Sequence, residues 1–202
     1  MNSADELRPL PDDARTQWLL RYQAWLKLLA RLEIDRRFQG KFSESDAVQQ
    51  TLFEAWRCWD RFQGDEEPAR LAWLRQILAH QLAHLARRYG ATQKRDAARE
   101  QSLDQSLAQS AHRLRDVLAA DQSTPSAALQ REEQSLQLAA ALDRLPSDYR
   151  EVLVLRNLEE LSHDEIATRL GRSPGAVRML WLRALAALRT EFLRDATSTG
   201  RD

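Results

Sequence analysis

The sequence predicts an all-α protein with two helical domains joined by a partly helical linker, and three observations predict it. Apolar residues return every three or four positions through most of the chain, the period of helices that bury one face. Glycine and proline, which punctuate hairpins and tight turns, occur only six times each in 202 residues. A polar stretch rich in Gln, Ser, Asp and Arg separates two periodic halves, and a chain of this length can bury two modest cores.

The first amphipathic helix covers residues 16–38, with Trp18, Leu19, Tyr22, Trp25, Leu26, Leu29, Leu32 and Ile34 at helical spacing, and Gly40 breaks it. Ser43 or Ser45 caps a second helix whose apolar face runs Val48, Leu52, Phe53, Ala55, Trp56 and Trp59 and which ends near residues 62–64. Residues 65–68 form a loop. A third helix follows through Leu71, Trp73, Leu74, Ile77, Leu78, Leu82 and Leu85 to about residue 90. A tail of residues 1–15 thus precedes a first domain of residues 16–90.

Residues 91–131 form the linker, with residues 121–126 interrupting any helix there. The second domain, residues 132–195, starts as a helix to Leu145, is punctuated by Pro146, resumes through Leu155, and continues as two shorter helices. Residues 196–202 are a tail.

Formal net charge is zero, which excludes a globally basic nucleic-acid binder and leaves uneven charge placement as the only route to a polyanion site. The single cysteine, Cys58, cannot form an internal disulfide and reads as a small buried hydrophobe. No apolar run approaches the roughly twenty residues of a membrane span, and the first thirteen residues carry acids and prolines rather than a secretory signal. The expectation is a cytoplasmic protein without membrane insertion.

Catalytic residues, cofactor and metal are all expected to be absent. No phosphate-cradling glycine loop, nucleophile with a base, or His/Cys cluster is visible, and His80 and His84, four residues apart, lack a third ligand. The six tryptophans, including Trp73 and Trp181, fall at core spacing.

Residues 162–188 fit a helix-turn-helix. Ser162 with Glu165 makes a capping box, Ile166 and Leu170 face inward, and Ala167 is small where two helices cross. Gly171 permits a left-handed turn, Ser173 caps the next helix and Pro174 suits its first position. Val177, Leu180 or Trp181, Ala184 and Leu188 supply that helix's inward face. From Ile166 to Thr190 there are five arginines, 169, 172, 178, 183 and 189, and no acid, the local excess that a phosphate backbone requires.

The surroundings of this motif carry a family resemblance. Leu142-Asp143-Arg144-Leu145-Pro146 through Arg156 resembles the start of region four in the extracytoplasmic-function (ECF) members of the sigma-70 family; regulators of LuxR type share a milder version. Asp46-Ala47-Val48-Gln49-Gln50-Thr51-Leu52-Phe53 resembles the Asp-x-x-Gln-x-x-Phe helix of sigma region two. Ala72-Trp73-Leu74-Arg75-Gln76-Ile77, ending in Arg87-Arg88, resembles the promoter-melting helix that follows it.

The resemblance implies a factor that binds core RNA polymerase through its clamp coiled coil and flap, and that opens promoter DNA at the start of transcription. It implies polymerase contacts at Asp46, Gln49, Gln50 and Glu54. It implies minus-10 contacts at Phe62, Gln63, Arg75, His80, His84, Arg87 and Arg88, the two histidines standing where many relatives carry Asn and Asp. Minus-35 reading falls to Arg178 and Met179 at base edges, with Arg169, Arg172, Ser173 and Arg183 nearer phosphates, and Leu180 stands where many relatives are basic. An anti-sigma factor is a further possible partner. The alternative is a stand-alone helix-turn-helix regulator of LuxR type, whose first half binds a ligand or dimerises.

Overall fold

A computed structural model describes residues 12–37, 43–62, 64, 66–88, 96–116 and 125–198, and no strand occurs among them. The chain divides into two compact units, Met1–Gln109 and Ser110–Asp202, a division that falls inside the segment expected to be the linker.

Unit 1 contains α1 (Asp12–Leu20), α2 (Gln23–Arg37), α3 (Glu44–Arg57), a short 3-10 turn (Trp59–Arg61), α4 (Glu67–Arg88) and the first part of α5 (Asp96–Asp116). The single helix expected over residues 16–38 is two. The Arg21 and Tyr22 amides bond to the Trp18 and Leu19 carbonyls at 3.3 and 3.1 Å, which tightens the last turn of α1, and Leu26 N to Tyr22 O at 2.9 Å restarts the α-helical ladder. The kink lets Tyr22 bury completely, with the Trp18 ring 4.7 Å from its own and Trp59 edge-on to Trp18 at 4.6 Å. Trp25, Leu26 and Leu29 of α2, Ala47, Val48 and Ala55 of α3, and Leu74, Leu78 and Leu82 of α4 form the core.

The tryptophans divide. Trp25 is buried; Trp18, Trp59, Trp73 and Trp181 are half-buried; Trp56 is exposed. Phe53 also faces out, 56% exposed. The inward face of α3 is instead Ala47, Val48, Thr51 and Ala55, since helical spacing from Val48 reaches 51 and 55 and turns 53 and 56 away. Cys58 is half-buried rather than buried, and its thiol donates to Glu54 Oε1 at 3.3 Å. That hydrogen bond, helped by desolvation, raises the thiol's pKa and holds it neutral.

Unit 2 comprises the end of α5, α6 (Pro125–Arg144), α7 (Ser147–Leu153), a π-helical turn (Val154–Leu158), α8 (His163–Leu170) and α9 (Pro174–Ser198). Proline occupies the first position of both α6 and α9, where its missing N–H leaves no intrahelical bond unmade. Arg150 of α7 closes the break at Pro146 by donating to the carbonyls of Leu142, Asp143 and Leu145 at 2.9–3.0 Å, satisfying acceptors that the end of α6 leaves open. α9 is not short. It runs 25 residues, because no glycine or proline follows Gly175 until Gly200. It packs on α6, α7 and α8, and Arg144 Nε pairs with Glu191 Oε2 at 2.9 Å.

Candidate functional site

The α8–turn–α9 segment is built by local chemistry at each junction. Ser162 Oγ accepts from Glu165 N at 3.3 Å, while Glu165 Oε2 accepts from Ser162 N at 2.7 Å, so two orphan amides are satisfied reciprocally. These bonds favour the charged carboxylate, and the Ser162 hydroxyl, then its amide, hold Glu165 below the usual range. Gly171 takes the left-handed conformation, φ 64° and ψ 35°, and Arg172 N returns to Ala167 O at 3.0 Å. Ser173 Oγ accepts from Ala176 N at 3.3 Å and starts α9.

Ile166, Ala167, Val177, Leu180 and Ala184 are buried between the two helices. Trp181 Nε1 donates to Asn157 Oδ1 at 3.1 Å, fastening α9 to the π-helical turn. The opposite side of α9 faces solvent over its first turns: Ser173, Arg178, Met179, Leu182 and Arg183 are exposed. Arg178 makes no ion pair among the described residues. Arg183 Nε donates to Met179 O at 3.2 Å. Arg172 is held by Asp148 of α7, and Arg169 by Glu159 at 3.3 Å.

Such an arrangement, a buried crossing that presents the start of a 25-residue helix with free cationic and thioether side chains, fits a major groove. Comparison with known proteins identifies the family. The family model "Sigma-70, region 4" matches residues 135–188, which run from the second half of α6 through α7 and α8 to Leu188 of α9. The RNA polymerase sigma-H factor of Pseudomonas aeruginosa is 30% identical over 144 residues, 71% of this chain and 69% of that protein. The chain belongs to the sigma-70 family of RNA polymerase sigma factors.

A second relative, named Probable RNA polymerase sigma factor RfaY, from Xanthomonas campestris pv. campestris, is 34% identical over 141 residues, 68% of this sigma factor but only 32% of the relative's length. As a sigma factor the protein directs transcription initiation and binds core polymerase and promoter DNA; sigma factors as a family are not enzymes. These matches give the LuxR-type reading no support.

In unit 1 of this sigma factor, Asp46, Gln49 and Gln50 are exposed on one side of α3, continued by Phe53 and Trp56. Glu54 lies beside that row, half-buried, its carboxylate accepting from Cys58 and from Arg57 at 3.2 Å. The Arg57 guanidinium sits 5.9 Å from the Phe53 ring centre. Helical spacing alone could have found the two aromatics, since Phe53 is seven residues, two turns, from Asp46.

The expected minus-10 residues do not share one open face. Phe62 stacks on Trp73 with ring centres 4.6 Å apart and planes 21° from parallel. Arg75 Nε pairs with Asp104 Oδ1 at 2.8 Å, and His80 Nδ1 lies 3.3 Å from Glu100 Oε2, both acids on α5. His84 and Arg88 are exposed and Arg87 is half-buried. Gln63 lies outside the described residues. No group of three or more His, Cys, Asp or Glu that could hold a metal occurs among the described residues, and no helix among them is long and apolar enough to cross a membrane.

Proposed function

We propose that this sigma-70 family member is of the ECF type, acts in the cytoplasm where the polymerase works, and divides its labour between the two units. α9 reads the minus-35 element: Arg178 and Met179 reach base edges, and Arg169, Arg172, Ser173 and Arg183 lie nearer phosphates. The carrying observation is the exposed start of α9 opposite its buried Val177, Leu180 and Ala184, with Arg178 unengaged.

In unit 1, Asp46, Gln49, Gln50 and Glu54 contact the coiled coil of the polymerase clamp, and unit 2 engages the flap. The Phe62 loop with Gln63, and α4 with Arg75, His80, His84, Arg87 and Arg88, handle the opened minus-10 strand, the aromatic ring stacking on an extruded base. An anti-sigma factor is a partner in keeping with this type. The buried position of Leu180, 6% exposed, supports leaving it out of base reading, although by the resemblance many ECF members are basic there.

Reconstitution with core polymerase and run-off transcription tests the assignment. Arg178→Ala should weaken promoter recognition by about 1–3 kcal/mol with unchanged core binding, whereas Asp46→Ala with Gln50→Ala should weaken core binding with unchanged helix content. A chain that never associates with core polymerase refutes the proposal.

A further inference from the structure

Helix α5 brings acids to the cationic side of α4. Glu100 and Asp104 stand four residues apart, the spacing that lines side chains along one helical face. Asp104 accepts from Arg75 at 2.8 Å, and Glu100 lies against His80 at 3.3 Å. The higher-numbered residue of α4 meets the lower-numbered residue of α5, so the two helices run antiparallel at this contact. Gln76 and Ala79 lie between these pairs and line an open cleft with Glu100, Gln101 and Asp104. α5 is seated by Leu103 and Leu107, both fully buried, and by Ser106 Oγ, which donates to the buried Glu33 carboxylate of α2 at 2.6 Å.

From this we infer that the first half of α5 is an intramolecular stand-in for DNA, whose carboxylates occupy α4 groups that a nucleic-acid strand needs and which must move away before that strand can bind. The inference rests on the reading of α4 as a DNA-contacting helix. Carboxylate and phosphate are both anionic acceptors, and the Arg75 Nε–H donor directed at Asp104 cannot serve both. The two α5–α4 pairs retain partial solvent exposure, 21% and 30% for the Arg75 and Asp104 side chains, so salt and competing charge weaken them. A strand presenting many phosphates at once has the advantage over two carboxylates. The free protein would therefore keep its minus-10 face closed until a polyanion displaces α5.

The test uses the full chain without polymerase and a fluorescein-labelled single-stranded oligonucleotide, read by anisotropy at fixed salt. Glu100→Gln with Asp104→Asn should bind about tenfold tighter than the parent. Glu151→Gln with Glu160→Gln, the same charge change placed in unit 2, should gain about twofold or less. Adding Arg75→Ala to the α5 double variant should remove most of its gain.

Equal gains from the two double variants mean a general charge effect and overturn the inference. So does no gain from the α5 variant while Arg75→Ala or Arg87→Ala still weakens binding in the parent. If neither arginine variant affects binding in either background, it is the reading of α4 that fails, and the inference with it. Hydrogen exchange of the unmodified protein supplies a measure independent of any variant: α5 amides should exchange faster once the oligonucleotide is bound, and unchanged protection at saturation overturns the inference.

Discussion

The same substitution, glycine to alanine, should act with opposite signs at positions 171 and 175. A Cβ at either position would meet nothing within 4 Å, so packing and clash drop out and backbone conformation alone remains. Gly171 sits at φ 64°, where an L side chain costs about 1–2 kcal/mol; restriction of the unfolded chain offsets about 0.4–1 kcal/mol of that. The net is a destabilisation of about 1 kcal/mol. Gly175 lies in the first turn of α9, where alanine gains up to about 0.5–1 kcal/mol over glycine. The variants should therefore differ by roughly 1.5 kcal/mol. Both lie in unit 2, so urea unfolding followed by circular dichroism compares them within one transition. With a slope of about 1–3 kcal/mol per molar urea, the midpoints should separate by about 0.5–1.5 M. Shifts of the same sign, or a neutral Gly171→Ala, would refute the left-handed cap as the source of the turn's stability.

Two other outcomes follow from exposure and burial in unit 1. Phe53→Ala and Trp56→Ala should each change stability by no more than about 0.5 kcal/mol, yet weaken core-polymerase binding about tenfold or more; native helix content with undiminished affinity in a titration would show the α3 aromatics to be bystanders. Tyr22 is buried, and desolvation, then the Glu67 carboxylate, push its phenol well above the ordinary value near 10. Its stabilising share is complete below that value and is lost as pH rises beyond it, because the unfolded chain ionises first. The melting temperature of the parent should thus fall more steeply above about pH 10 than that of Tyr22→Phe, and parallel curves would remove Tyr22 from the account.

What could be read from the sequence was whatever local chemistry alone determines. Ser162, Glu165, Gly171, Ser173 and Pro174 form a helix-turn-helix because each junction is settled within a few residues, and the structure reproduces every one of those bonds and angles. The break at Arg21–Tyr22 carried no such mark. No glycine or proline stands there, and the kink exists because Tyr22 has a core to enter. The outward turn of Phe53 and Trp56, by contrast, was legible in helical spacing and masked only by residue type: apolar side chains suggested burial, while the position along α3 dictates exposure, and position prevails. The pairing of Arg75 with Asp104 spans 29 residues and depends on how α5 returns to α4, which helical periodicity does not encode. The π-helical turn at Val154–Leu158 lay equally beyond pattern reading, although it supplies Asn157 to hold Trp181.

The packing of Phe62 couples two positions of its loop. A Cβ on Gly64 would lie 2.6 Å from the Phe62 ring and 2.9 Å from Ala69, so the ring can rest on Trp73 only while residue 64 has no side chain. Two walls hold residue 64 to glycine: a larger group there would push out the Phe62 ring, and even with a shorter side chain at 62 it would still crowd Ala69 of α4. A side chain at 64 would therefore disturb the Phe62–Trp73 stack and the first turn of α4 together.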